Sequence, residues 1–293
     1  MSIIQKSSLA VILAVLHTAW GQSNSLIFGG GYAPPVPIVI APGTLITLFV
    51  QNIGTQPTST ITASGLPLPV KLAGFSVALK QVRSPQGPIP VPILAVFTIE
   101  ACAPVAFNSA HLIVSDEAGN QAIIEAVTDT DNIHILRAND TLMAPGKSYY
   151  ERPAGLPLVT HTDGKLVTGD NPAQSGEILI LYAVGLGLVM PQAKSGEATP
   201  LPAPVVEVYT DFTYNFTGES SPHLPLRNEV NRKATLFAGL TPGSVGLYQV
   251  NFMVPELPLQ FQKRCDTFLS TNLTVSIGGL RSFDGVAICV RVP

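Results

Sequence analysis

The chain has 293 residues, 46% of them hydrophobic and only 12% charged, about half the usual share of ~25%. That balance argues against a disordered chain and supplies enough apolar surface for one large or two ordinary cores. A net charge of −3 argues against a cationic surface for nucleic acid or anionic lipid.

The N-terminus reads as a secretory signal. Lys6 gives the positive start, Leu9–Leu16 a short apolar run, and Ala19 and Gly21 the small residues of a cleavage site. The run falls short of the ~20 residues that span a bilayer. The expectation is a signal helix within residues 1–21, removed on export, and a mature chain that is secreted or held in the cell envelope. No cysteine follows the apolar run, which argues against a lipid anchor. Gly29–Gly31 reads as flexible leader.

Beyond the signal, helical periodicity is nearly absent. Short runs rich in Val, Ile, Leu, Phe and Thr stand at 44–51, 74–79, 111–114, 122–127, 176–183, 248–254 and 273–277, punctuated by 25 Gly and 26 Pro. Such spacing predicts an all-β sandwich or barrel. In the run 248–254, Tyr248, Val250, Phe252 and Val254 share one face of a half-buried strand. Pro242-Gly243 before it fits the central positions of a type II turn. Asp116–Asn120 reads as a hairpin loop.

An internal repeat organises these runs. Residues 42–54 match 175–187 without a gap: Gly43 with Gly176, Leu48 with Leu181, Phe49 with Tyr182, Gly54 with Gly187. Leu66–Pro69 and Leu201–Pro204 then follow as Pro-stiffened connectors. A period near 134 residues is one domain long, too long for a solenoid. The expectation is therefore two sandwich domains, 22–147 and 148–293, joined near Met143–Pro153.

Several stretches also carry a family resemblance: Asp163-Gly164, Asn171–Ala173, Gly176-Glu177, Leu181–Ala183, Gly185–Gly187, Phe237–Gly243, Val245–Asn251 and Val254-Pro255. With these, roughly residues 160–293 resemble the Solibacter-type uncharacterized C-terminal domain, a family of secreted bacterial modules similar to IPT/TIG immunoglobulin-like sandwiches. Residues 33–80 resemble a diverged second copy, which has no clear counterpart of Leu247–Asn251. The resemblance implies two Ig-like β-sandwich domains in tandem and secretion. It implies no activity, because the family has none established.

Candidate sites are few. Phe212, Tyr214 and Phe216 fall on one strand face and form a candidate ligand platform for a sugar or a partner surface; the competing reading is core packing. Among three cysteines, Cys265 and Cys289 lie 24 residues apart as a candidate disulfide, leaving Cys102 as a buried thiol. Neither the cysteines nor the five histidines show metal-ligand spacing. His161 and Asp163 could meet in a loop, but no Ser or Cys sits in a nucleophile motif beside them. Gly185 and Gly187 lack the third glycine and the helix of a dinucleotide site, and read as a turn. Asp129, Asp131, Asn132, Asn139 and Asp140 gather oxygen atoms that a calcium ion could use, without the order of a known calcium loop. Asn139, Asn215 and Asn272 begin glycosylation sequons, and Arg232-Lys233 and Lys263-Arg264 read as solvated basic pairs.

The function expected from these residues is a non-catalytic, extracellular or cell-envelope binding or adhesion module, taking a polysaccharide or a protein. No catalytic, cofactor or metal residue is assigned. One alternative is a glycan-active enzyme with facing carboxylates in its inter-strand loops. The other is a structural spacer of an envelope assembly.

Overall fold

The computed structural model describes residues 10–16, 26–30, 38–41, 45–51, 53–55, 57–82, 84–99, 110–128, 133–137, 157–207, 210–215, 232–256, 272–277, 280–281 and 288–291. Among them there is no helix; the chain is all-β and its strands pair mainly antiparallel.

The N-terminal strands are β1 (Ala10–Leu16), β2 (Leu26–Gly30), β3 (Ile38–Ile40), β4 (Leu45–Gln51), β5 (Ile61–Thr62) and β6 (Lys71–Leu72). They continue with β7 (Phe75–Gln81), β8 (Ile89–Val91), β9 (Ile93–Ile99), β10 (Ala110–Ser115) and β11 (Gln121–Thr128). One sheet runs β2-β4-β1-β9-β5 and a second runs β3-β11-β10-β7-β6, with β8 beside β7. A core lies between them. Ile46, Leu48, Val50 and Ile93 of the first sheet meet Phe75, Val77, Leu112, Val114 and Ala122 of the second.

The C-terminal strands begin with β12 (His134–Ile135), β13 (Val159–His161), β14 (Ala173–Gln174), β15 (Ile178–Val184), β16 (Val189–Met190) and β17 (Val205–Val206). After them come β18 (Thr210–Asn215), β19 (Arg232–Ala234), β20 (Phe237–Leu240) and β21 (Tyr248–Met253). The last are β22 (Asn272–Ile277), β23 (Leu280–Arg281) and β24 (Val290–Arg291). The larger sheet runs β12-β15-β21-β20-β17-β16 with β13 also on β15; the smaller runs β19-β18-β22-β23. Their buried side chains make a separate core, in which Phe212 of β18 packs against Phe252 of β21 with ring centroids 4.9 Å apart. Ile133 and Ile135 already belong to this second core, and β12 pairs with β15.

Local sequence explains these elements. Tyr248, Val250, Phe252 and Val254 are all buried on the face expected of them. Thr241–Ser244 closes as a turn, the Ser244 N–H donating to the Thr241 carbonyl at 3.2 Å, with Gly243 at φ 75° where a side chain would be strained. Asp116 organises the β10–β11 hairpin, accepting from the Asn120 backbone at 2.8 Å and the Asn120 side chain at 2.7 Å. The repeat survives in the fold: Ile46, Leu48 and Val50 are buried along β4, as Leu179, Leu181 and Ala183 are along β15. What differs is their company. β4 lies between β1 and β2, whereas β15 lies between β21 and the pair β12 and β13.

Two expectations are corrected. Gly29 and Gly30, read as flexible leader, lie in strand β2, paired with Phe49 and Leu48 of β4. The segment read as part of a signal helix forms the strand β1, parallel to β4 on one side and to β9 on the other. Its run Ala-Val-Ile-Leu-Ala-Val-Leu is apolar at every position and holds three β-branched residues, which suits a strand flanked by parallel neighbours. An apolar run this short meets the requirements of either conformation, and here the two ladders decide.

A backbone hydrogen bond joins the connector after β5 to the segment after β16. The Leu68 N–H donates to the Gly196 carbonyl at 2.7 Å. Gly196 has φ +79°, and a Cβ there would lie 3.1 Å from Cγ of Pro92.

Candidate functional site

The most concentrated group of ionisable side chains lies at one end of the C-terminal core. β13 and β15 pair antiparallel, which carries His161 toward Glu177. His161 Nδ1 lies 2.5 Å from Glu177 Oε1, and its Nε2 lies 3.2 Å from the Asn171 carbonyl oxygen. The second Glu177 oxygen accepts from the Gln174 N–H at 2.9 Å. Burial opposes a charge on His161, but the Glu177 hydrogen bond, the Asn171 carbonyl and the Glu177 and Asp163 charges outweigh it and raise its pKa. Two acceptors on one imidazole favour its doubly protonated form. Both ring nitrogens are occupied, so the group works as a clamp between β13 and the 171–177 segment that carries β14. It leaves no ring nitrogen facing a substrate, as general-base chemistry requires. Asp163 does not join it by hydrogen bond: its Oδ2 accepts from Lys165 Nζ at 2.7 Å.

The aromatic stripe read from the sequence divides. Phe212 is 1% exposed and lies in the core against Phe252, which removes its ring from any ligand platform. Tyr214 is half-buried against the same core, 6.0 Å from Phe212 between ring centroids, and burial raises its pKa. Phe216 lies outside the described residues. Strand β18 turns Phe212 inward because its sheet is the second layer over β21, and burying that ring contributes on the order of 2 kcal/mol. On the same strand Asp211 is buried, and Arg232 Nε of β19 donates to its Oδ2.

Cys289 is buried and disulfide-bonded. Its expected partner Cys265, like Cys102, lies outside the described residues, as do Asp129, Asp131, Asn132, Asn139 and Asp140 of the candidate calcium loop. Among the described residues, no group of three or more His, Cys, Asp or Glu side chains is placed to hold a metal ion. Gly185 and Gly187 are a turn at the end of β15, with φ 74° and 89°, and the Gly187 carbonyl accepts from the buried Tyr248 hydroxyl at 2.5 Å. Asn215 and Asn272 stand directly opposite each other in the β18–β22 ladder.

The surface that the sequence reading missed is the outer face of the larger C-terminal sheet. Directly paired residues point to the same side of a sheet. Alternation therefore sends Leu179, Leu181 and Ala183 inward and Ile178, Ile180 and Tyr182 outward. One row across the outer face runs Leu166, Thr160, Ile180, Asn251, Phe237. The next runs Tyr182, Gln249, Gly239, Val205, Met190. Ile178 opposite Met253 closes one end. None of the residues just named carries a charge; the exposed Glu207, two residues beyond Val205, stands at the edge of the face.

The margins of this face are open: Met190 is 54% exposed, Met253 47%, Val205 43% and Ile178 39%. Tyr182, Phe237, Gln249 and Asn251 in its middle are half-buried. Gly239 is required there. A Cβ at that position would stand 2.7 Å from Cζ of Phe237 and 2.4 Å from the Pro204 oxygen, so the missing side chain lets the Phe237 ring lie against the sheet. The signal for this face was present in the run Ile178–Val184, which is apolar at alternate positions on both sides although only one side meets the core.

No family model matches the chain, and no curated protein matches it in sequence.

Proposed function

We propose that the protein is a secreted, non-catalytic binding module of two tandem immunoglobulin-like sandwiches, and that it meets its ligand through the outer face of the larger C-terminal sheet. The observation that carries this reading is the largely apolar character of that face from Leu166 to Met190, with Glu207 at its edge. Antiparallel sheets commonly turn one polar face to water. A largely apolar face with exposed margins marks an interaction surface. The resemblance of residues 160–293 to the Solibacter-type domain supports export and an Ig-like module of the cell envelope or its exterior.

Co-sedimentation of the purified chain with envelope material from the producing cell tests this. The wild-type chain is expected to pellet with the envelope, and the double variant Met190→Asp/Met253→Asp to stay in the supernatant while melting as the wild type does. Equal pelleting of the two, or no pelleting of either, contradicts the reading.

A further inference from the structure

We infer that the ligand of this face is a neutral polysaccharide, held by the rings of Tyr182 and Phe237 and by the amides of Gln249 and Asn251. The inference rests on the binding-module reading above and names the chemistry of the same face.

The four side chains occupy adjacent rows. Tyr182 stands opposite Gln249, and Phe237 opposite Asn251, so the two rings flank the two amides from opposite sides of β21. Two strand spacings, roughly 10 Å, separate the strands that carry the rings. Aromatic rings offer flat apolar surface to the C–H faces of sugar rings.

The amides supply what hydroxyls need. The Gln249 amide nitrogen donates to the Asn251 side-chain oxygen at 3.3 Å. That bond leaves the Gln249 side-chain oxygen as an acceptor and the Asn251 amide nitrogen as a donor for a sugar hydroxyl. A sugar hydroxyl both donates and accepts, and an amide pair presenting one of each matches it.

Charge decides between sugars. The β17–β20 register carries the Phe237 row on to the exposed Glu207, and no Lys or Arg stands in the rows named, so a uronate or sulfated chain would meet a like charge, find no cation to pair with and lose hydration without return. A neutral chain loses nothing of the kind. The apolar margin of Met190, Val205 and Met253 then extends the surface along which sugar rings can lie.

Native affinity electrophoresis of the purified full-length chain tests the inference, with gels containing hydroxyethylcellulose, galactomannan or glucomannan as neutral probes and alginate as the anionic one. The expected result is retardation in at least one neutral gel and none in alginate. Tyr182→Ala and Asn251→Ala are each expected to raise the apparent Kd about tenfold, a change of ~1.4 kcal/mol, while their melting temperatures confirm that they fold. Retardation in alginate alone overturns the inference, as does retardation that neither substitution weakens. Absence of retardation in every neutral gel, with envelope pelleting that still depends on Met190 and Met253, overturns the polysaccharide assignment and leaves the binding face standing. Loss of both signals overturns the two together.

Discussion

His161 holds its proton through contacts with Asn171 and Glu177, at the two ends of one short segment. Its pKa is raised in the fold, so the stabilisation it contributes is complete below the ordinary value of 6.5 and is lost as pH rises through the folded value. Thermal melts between about pH 5.5 and pH 8.5 are expected to show a midpoint that falls with pH in the wild type and changes less in His161→Gln. The same slope in both proteins contradicts the clamp. Tyr248 makes a second residue-scale prediction. Its hydroxyl is buried, its pKa is pushed well up by that burial, and it donates to the Gly187 carbonyl. Tyr248→Phe leaves that carbonyl unsatisfied and is expected to cost about 1–2 kcal/mol in urea unfolding; an unchanged midpoint rejects the bond. Neither partner was legible in the sequence. His161 pairs with Glu177 and not with Asp163, because the turn at residues 162–164 points Asp163 to Lys165 while strand register brings Glu177 back. Register of that kind is a property of the assembled sheet.

Elements were legible where alternation was strict and misread where the apolar run was continuous. Strand β21 alternates, and both its position and its buried face follow from the sequence alone. β15 and β1 are apolar throughout, so composition could not say that β15 keeps a second apolar face for solvent, nor that β1 is a strand. Glycines at the ends of elements report the packing more directly. Gly54 closes β4 at φ +62°, and a Cβ there would lie 2.6 Å from Cε1 of Phe75. Gly119, in the β10–β11 hairpin, has φ +85° and nothing within 4 Å. Gly119→Ala is therefore expected to cost about 1 kcal/mol through backbone strain alone. Gly54→Ala must also displace a core ring and is expected to cost about 2–4 kcal/mol. Equal losses in chemical denaturation contradict the packing of Phe75 over Gly54.

At the scale of the molecule, few charges and many turns resolve into two cores, each between two sheets, with a 133-residue offset that keeps the buried positions of β4 and β15 in step. The same scarcity of charge leaves the outer face around Tyr182 and Phe237 largely apolar, with Glu207 at its edge, and this is the central claim for function. It was hidden because its rows combine residues from seven separate places between positions 160 and 253, and only pairing brings them side by side. Hydroxyl-radical footprinting reads that face directly, since Met190 and Met253 are exposed and their thioethers oxidise readily. With envelope material present, oxidation at Met190, Met253 and Tyr182 is expected to fall severalfold while the exposed Leu66 and Val82 of the N-terminal half react as before. Undiminished oxidation at Met190 and Met253, with protection at Leu66 and Val82 instead, would place the contact elsewhere and contradict the account.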